Sequence, residues 1–520
     1  MASTSAASAN PALPVADGDA LLPVRHKGLL TIAIMMAMLM QVLDTTIANV
    51  ALPHMQTSLG ATIDTIAWVL TSYIVASAVA IPITGWLADR VGSRHLFLIA
   101  VVFFIITSML CGIATSLEEM VVFRVLQGIS AAFIGPLSQT AMLDINPSHK
   151  QGQAMAIWSL GAVLGPILGP LIGGYLTEYY NWRWVFFVNV PLGVLTFTLL
   201  FWLLPTRETV RRGFDLFGFS MLALGIASLQ LMLDRGQTLD WFESWEIWIG
   251  LGFVIGGFWV FTVHMLSGSG DRIITPSLFR DRNFSASIAF VFVVGILVFA
   301  TMVLIAPMLQ GIMGYTVIDA GVLLAPRGLG VILAMGMAAR LMSLVDARIL
   351  LAMGWAISAW SCLMMTQWSA DMDWRPVVTV GIIQGIGIGF IFVPLQVIAF
   401  ATLPSQLLPE ATAMMNLLRN IGASVGISIT ASNVARIQQI SHADIAAHIT
   451  PYTLTSLGLD RLGLDDDVAL RLLDMEINRQ AVMIGYLDDF WLIMWLCIVA
   501  TPMALLLKKL PANAMRPADV

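Results

Sequence analysis

Residues 28–53 read GLLTIAIMMAMLMQVLDTTIANVALP, from Gly28 to Pro53. No charge interrupts the run until Asp44, and the apolar character then resumes as far as Pro53. A stretch of this length and composition is a membrane span. A carboxylate inside it is costly, by at least ~2.5–3.5 kcal/mol at a bilayer centre on lenient insertion scales. Such residues face a bundle interior or a wet cavity and mark ion or proton pathways. The plainer alternative is a buried acid that only pins two helices together. Asp44 is read here as the proton site.

The whole chain agrees with that solvent. Of 520 residues, 58% are hydrophobic and 11% are charged, against about 25% charged in globular domains. With a mean hydropathy of +0.85, this is an all-α polytopic membrane protein. The net charge of −6 decides nothing, because sign in a membrane protein is read loop by loop. Cys111, Cys362 and Cys497 lie far apart in apolar runs, so neither a disulfide framework nor a metal cluster is expected. No cofactor and no nucleic-acid partner are expected either. Residues 1–27 are Ala/Ser/Pro-rich, too polar for a signal peptide, and read as a disordered tail. Residues 509–520 form a second tail.

Taking roughly 20 apolar residues per span, fourteen spans are expected. They cover residues 28–52, 65–87, 96–116, 119–142, 152–176, 184–204, 215–234, 247–267, 283–306, 318–340, 348–367, 376–400, 411–436 and 485–507. Alternate loops carry the positive charge: Arg25 and Lys27, Arg90 and Arg94, Lys150, Arg207 with Arg211 and Arg212, Arg280 and Arg282, Arg340 and Arg348, Lys508 and Lys509. The other loops are acidic or aromatic, as at Glu118, Glu119, Glu178, Asp371 and Asp373. Lys and Arg accumulate on the cytoplasmic side, so both termini are expected there. Residues 437–484 are read as a long periplasmic loop. Near its end Leu464, Val468, Leu472, Leu473 and Met475 leave an apolar stripe beside Asp465, Asp466, Asp467 and Glu476. That pattern suits an amphipathic helix lying outside the bilayer, or else a solvated linker.

Residues 121–134, VVFRVLQGISAAFI, align with 378–391, VTVGIIQGIGIGFI, matching Gln127 with Gln384 and Gly128 with Gly385. Ala154-Met155 aligns with Ala413-Met414 at nearly the same offset. The expected organisation is therefore a six-helix half at 28–206, a two-helix insertion at 207–270, and a second six-helix half at 271–508 that includes the loop 437–484. Arg124 faces Gly381 in this alignment, so proton handling is expected in the first half.

Four constellations carry mechanism. Gly85-Trp-Leu-Ala-Asp89-Arg90-Val-Gly92-Ser93-Arg94 joins spans 2 and 3; its glycines permit tight packing and Asp89 can sit at a helix N-terminus. Arg124 lies inside span 4, where its planar fork suits a carboxylate, and Asp44 is the nearest candidate by topology. Proximity of the cation favours the ionised carboxylate and burial the neutral one, so a change in their separation switches Asp44. The alternative is an arginine that braces backbone carbonyls. In span 5, Gly161, Gly165, Gly169 and Gly173 recur every four residues, with Pro170 and Gly174 completing Gly165-x-x-x-Gly169-Pro170-x-x-Gly173-Gly174. One smooth face for close helix packing follows, with kinks at Pro166 and Pro170. Last, polar residues within spans are candidates for a substrate pocket: Gln41, Asn49, Gln127, Gln139, Gln384, Gln396, Asn416 and Asn420. Arg327 and Arg419 either hold an anionic compound or are salt-bridged structure. His264, near the end of span 8, is read as interfacial.

The span 2–3 loop resembles the signature of the major facilitator superfamily, with Ser93 where a basic residue is usual, and the span 5 string resembles its antiporter motif. Leu43–Pro53, Trp182–Gly193, Leu233-Asp234-Arg235-Gly236 with Asp240-Trp241-Phe242, Pro326-Arg327-Gly328 and Asn416-Leu-Leu-Arg419-Asn420 resemble the fourteen-helix drug:proton antiporters of that superfamily. The likeness covers about residues 28–508. The long segment before span 14 is most similar to EmrB-type multidrug exporters of Gram-negative bacteria. The resemblance implies the major facilitator fold, an inner-membrane location and proton-driven export of small hydrophobic or amphipathic drugs, anionic ones among them, by alternating access. It also implies a proton-transfer role for Arg124, a periplasmic EmrA-like adaptor and a TolC-like outer-membrane channel. An antiporter selective for one metabolite class, such as fatty acids or siderophores, would share every motif. A membrane enzyme is disfavoured, since no nucleophile–base set or phosphate loop is found. A non-transporting receptor would leave the antiporter glycines without a task.

Overall fold

The computed structural model describes residues 22, 24–147, 150–207, 209, 213–267, 272–342, 344–449 and 466–509. Every regular element among them is helical, as required where lipid offers backbone N–H and C=O groups no partner. Fourteen long helices follow in order: α1 Lys27–Ser58, α2 Trp68–Val91, α3 Ser93–Ile113, α4 Leu117–Asp144, α5 Gln151–Tyr179, α6 Trp184–Leu203 and α7 Leu216–Arg235. Then come α8 Trp245–Ser267, α9 Arg282–Ile312, α10 Val317–Leu341, α11 Ala347–Met365, α12 Trp374–Phe400, α13 Leu408–Ala447 and α14 Asp466–Ala504. All but α13 contain a stretch long and apolar enough to cross a bilayer. α13 falls short because Glu410, Asn416, Arg419, Asn420, Asn433 and Arg436 lie along it. It is sheltered instead, packing between α9 and α14.

Neighbours recur between the first six helices and the last six. α1 packs on α5 as α9 packs on α13; α2 packs on α4 as α10 packs on α12; α3 packs on α6 as α11 packs on α14. The aligned glycines take equivalent places. A Cβ on Gly128 would lie 2.5 Å from the Tyr73 carbonyl oxygen on α2, and one on Gly385 would strike the Arg327 carbonyl on α10. Side-chain-free backbone is what allows each pair to approach this closely.

α7 and α8 pair with each other at the periphery, and only 11% of the most apolar stretch of α8 is buried. Their far turn touches both sets of six. Thr71 on α2 donates to Asp234, Ser428 on α13 donates to the Leu233 carbonyl at 2.7 Å, and Trp241 Nε1 donates to Ser432 at 2.9 Å. His264, expected at the interface, pairs at 3.0 Å with Asp215, whose other contact caps α7 at the Gly218 N–H. It closes the hairpin between α7 and α8.

Three boundaries differ from expectation. α1 runs through Pro53 to Ser58. More consequentially, within the expected loop 437–484 the described residues 437–447 and 466–484 are helical. α13 continues to Ala447 and α14 already begins at Asp466, so the two helices extend as an antiparallel pair. Two polar rungs hold it, Gln438 Nε2 to Asn478 Oδ1 at 2.8 Å and His442 to Asp474 at 3.0 Å, while Arg479 ties α14 to Asp371 in the turn between α11 and α12 at 2.7 Å. The expected separate amphipathic helix is therefore the first turns of α14, and its apolar stripe is not buried: Val468, Leu472 and Met475 are 44%, 48% and 67% exposed. A hydropathy rule ends a span where charge begins, whereas here charge pairs with charge and the helix goes on. Residues 1–21, 450–465 and 510–520 lie outside the described residues, and so do Arg211 and Arg212.

Candidate functional site

Asp44 is fully buried. Its Oδ2 accepts from Arg124 Nη1 at 2.7 Å, and its Oδ1 accepts from Gln127 Nε2 and Asn189 Nδ2, both at 2.8 Å. Arg124 is likewise fully buried. Its Nε donates to the Val69 carbonyl on α2 at 3.0 Å, its Nη1 also reaches Gln127 Oε1 at 2.8 Å, and its guanidinium lies 4.1 Å over the Tyr73 ring. One carboxylate thus gathers donors from α4 and α6, and α2 supplies the stacking wall. The arrangement is charge-assisted throughout. Of the two readings of Arg124, both hold at once: it braces a carbonyl and pairs with the acid.

Asn189 was not singled out from sequence. Ser108 Oγ receives its second N–H at 3.1 Å and passes a bond to the Phe186 carbonyl at 2.9 Å. The signal was available: a lone amide in the apolar run VFFVNVPLG is the same anomaly that exposed Asp44.

The glycine face of α5 meets the helix that carries this acid. A Cβ on Gly161 would sit 2.8 Å from the Met35 carbonyl, on Gly165 2.6 Å from Val42, and on Gly173 2.8 Å from Ile47. One on Gly169 would collide with the Thr46 hydroxyl, which lies 3.2 Å from the Gly165 carbonyl. Gly174 faces α10 instead, where a Cβ would meet Val317 at 3.6 Å, an ordinary van der Waals contact. Four glycines therefore bring two backbones together along the segment Met35–Ile47.

Beside α1 lies a cavity of about 100 Å³ between α1, α5, α9, α10, α12 and α13. Met38 and Val42 face it, while Asp44, two residues and ~200° further round the helix, faces away. Pro166 and Pro170 line it too, and Val42, which meets Gly165, borders it as well, so the glycine contact adjoins the cavity. The remaining wall is apolar except for Arg327 and Arg419. Arg327 Nη2 donates to Thr301 Oγ1 at 3.0 Å and Arg419 Nη2 to Asn416 Oδ1 at 2.7 Å. Among the described residues neither has a carboxylate partner, which removes the salt-bridge reading of the pair.

The other candidates separate into groups. Gln139, Gln396 and Asn416 form one chain: Gln139 Nε2 to Gln396 Oε1 at 2.7 Å, then Asn416 Nδ2 to Gln139 Oε1 at 2.9 Å. With Thr140–Thr412 at 2.9 Å, it ties α4 to α12 and α13 near their ends at the basic loops. Gln41 Oε1 and Asn416 Oδ1 both lie against Gly135. Gln127 belongs to the ion pair. Gln384 is buried on α12, and among the described residues neither of its amide atoms has a hydrogen-bond partner. Asn49 is exposed, and neither it nor Asn420 lines the cavity.

The loop between α2 and α3 closes the basic end further. Gly92 has φ +93°, a conformation open to glycine and strained for other residues. A Cβ on Gly85 would lie 3.1 Å from the Glu410 backbone at the start of α13. Arg90 stacks on Trp86 at 5.1 Å, and Arg94 donates to the Phe201 carbonyl at 2.6 Å rather than to an acid. Asp144 pairs with Arg207 at 3.1 Å, and Arg207 reaches the Ser405 carbonyl. α4, α6 and the segment before α13 are thereby linked.

The profile of the Major Facilitator Superfamily matches residues 34–427. The chain is 36% identical over 480 residues to the multidrug export protein EmrB of Haemophilus influenzae, covering 89% of this chain and 92% of that protein. It is 36% identical over 485 residues to the fatty acid resistance protein FarB of Neisseria gonorrhoeae, covering 92% and 95%. Among solved structures, the proton:xylose symporter XylE bound to 6-bromo-6-deoxy-D-glucose superposes with a TM-score of 0.62 at 12% identity, covering 93% and 96%.

Proposed function

The chain belongs to the Major Facilitator Superfamily, and we propose that it is a proton-driven multidrug efflux antiporter of the inner membrane. It exports hydrophobic or amphipathic compounds by alternating access, within a tripartite assembly that includes a periplasmic adaptor and an outer-membrane channel. Both termini lie in the cytoplasm, and the halves 28–206 and 271–508 rock against each other. One observation carries the reading: a sealed carboxylate–guanidinium pair, Asp44 with Arg124, on a helix whose opposite face lines a cavity.

The sequence of events follows from that geometry. With Asp44 ionised, α1, α4 and α6 are drawn together by its three hydrogen bonds. A proton arriving from the periplasm cancels the charge that Arg124 faces, and a buried cation left without its partner is strongly unfavourable. The helices then rearrange. Because the α5 glycines hold α1 backbone to backbone, movement of α1 moves Pro166 and Pro170 at the cavity wall. Opening to the cytoplasm breaks Gln139–Gln396, Gln139–Asn416 and Thr140–Thr412. Loss of the proton to the cytoplasm restores the ion pair. The cavity of about 100 Å³ is below the ~300 Å³ of a small-molecule site, so substrate enters only as the halves part.

Similarity to FarB favours one second reading, an antiporter selective for a single metabolite class such as fatty acids or siderophores. Reconstituted protein decides between them. In inside-out vesicles with an acidic interior, the outward proton gradient should drive uptake of several unrelated dyes and drugs, and an uncoupler should abolish it. Transport of one metabolite class alone supports the selective antiporter, and gradient-independent transport overturns both.

A further inference from the structure

We infer that Asp489 on α14 is a second proton-binding carboxylate, separate from Asp44 and reached from the end opposite the basic loops. Tyr486-Leu-Asp488-Asp489-Phe-Trp stands where span 14 begins. Asp488 is exposed there, whereas Asp489 is fully buried. Both acids accept from one amide: Asn433 Nδ2 on α13 donates to Asp488 Oδ2 at 3.0 Å and to Asp489 Oδ1 at 2.9 Å. Oδ2 of Asp489 is sealed from solvent and has no hydrogen-bond partner among the described residues. Neither acid has an ion-pair partner among them either. Asp44 meets three donors, one of them a guanidinium; Asp489 meets one neutral amide, which it shares with another acid. An ionised carboxylate so placed lacks the pairing that burial demands, and a proton on Oδ2 removes the charge. No third acid, histidine or cysteine joins the two among the described residues, and hard divalent cations take about six oxygens or more. The ligand that fits is a proton.

Asn433 also lines an open cleft of about 770 Å³, walled by Asp240, Trp241 and Glu243 of the α7–α8 turn and by Ser432 and Arg436 of α13. The amide therefore has the cleft on one side and the buried acid on the other. Of the titratable and charged groups nearby, Asp488 and Tyr486 share the helix of Asp489, and Arg436, Asp240 and Glu243 face the cleft. Arg479 is engaged by Glu476 and Asp371. α9 and α11, which also pack on α14, carry no acidic or basic side chain beyond Arg282 and Arg348. Those two bind carbonyls past its other end, at Leu506 and Leu507. Proton loss at Asp489 sets a charge against Asp488 and Asn433, one residue from Ser432, which receives Trp241. The same turn holds Thr71 of α2 through Asp234, so the change reaches both sets of six helices. The consequence for coupling rests on the exporter reading above: protons move on Asp489 as well as on Asp44, and a cycle takes up one more than Asp44 alone provides.

Infrared difference spectra of the full chain in nanodiscs test the site. At neutral pH, wild type minus Asp489→Asn should leave the C=O stretch of a neutral carboxyl, and the same band should survive in an Asp44→Asn background. Asp489→Asn replaces a neutral group by a neutral one, so its thermal stability should stay close to that of wild type while Asp44→Asn loses stability; this also shows that the variant folds. Exchanging choline chloride for sodium chloride should leave the band unchanged. In deuterium oxide the band shifts, and Asn433→Leu, which blocks the way from the cleft, should slow that shift several-fold. In proteoliposomes, proton uptake per exported molecule should fall by one in Asp489→Asn. A difference spectrum holding only ionised-carboxylate bands, a neutral band that sodium removes, or a stability loss as large as that of Asp44→Asn would each overturn the inference. An unslowed shift in Asn433→Leu would overturn the route through the cleft, and an unchanged proton count the part in coupling. No gradient-driven export from wild type, with the band in place, would instead defeat the exporter reading.

Discussion

Asp44→Asn is the decisive perturbation. In the wild type the carboxylate satisfies three donors at 2.7–2.8 Å with two acceptor oxygens. Asparagine offers one acceptor and points an NH2 group at the remaining donors. If its oxygen faces Arg124, its amide confronts Gln127 and Asn189; if it turns round, it confronts Arg124. Either way a fully buried guanidinium loses its counter-charge. Removing one partner of a buried pair costs about 3–5 kcal/mol, a factor of roughly 10²–10⁴ in a folding equilibrium. Asp44→Asn should therefore lower the thermal stability of detergent-purified protein. Asp44→Asn combined with Arg124→Gln should recover much of the loss, because the stranded cation is gone. Neither variant should carry out gradient-driven export, since residue 44 no longer ionises, and Asp44→Glu should keep part of it. Substrate binding in wild type should weaken as pH falls and Asp44 takes up its proton; in Asp44→Asn this dependence should flatten. A double variant no more stable than Asp44→Asn would refute the stranded-charge reasoning. If Asp44→Asn still concentrates substrate using a pH difference, the proton site lies elsewhere.

Within the α5 motif the glycines should not be equivalent. Gly165→Ala places a methyl 2.6 Å from Val42 and should reduce export severely at an overpacking cost of about 1–3 kcal/mol, while Gly174→Ala, whose methyl would meet Val317 at an ordinary contact distance of 3.6 Å, should be tolerated; equal transport rates would show that the close α1–α5 contact is not used. Deleting 441–475 should abolish adaptor co-purification and resistance in cells yet leave proton-coupled transport in proteoliposomes, because Asn433 with Asp488 and Asp489 lies outside the deletion. Retained adaptor binding would count against the extended ends of α13 and α14 as the part that the adaptor docks on. In a variant lacking Cys111, Cys362 and Cys497, single cysteines at Ser93 and Gln439 should label from opposite sides of the membrane; labelling from one side would contradict the proposed topology.

What the sequence determined by itself was everything that depends on composition along one span. Hydropathy located the helices, since backbone in lipid has helix as its only unpaired option, and a carboxylate amid apolar residues announced Asp44 without any partner in view. The four-residue spacing of Gly161, Gly165, Gly169 and Gly173 likewise determined that one face of α5 would be bare. Only the tertiary structure decided what met that face, and the answer, α1 along Met35–Ile47, links the glycines to the acid. It also decided that Gln127 serves the ion pair while Gln139 serves the closed end, a difference between two amides of one helix that follows from which neighbours they face. The course of 437–484 was hidden for a related reason. Its polar side chains ended the apolar signal, yet they pair across two helices and with the α11–α12 turn, and pairing between residues distant in sequence is set by packing rather than by any local period.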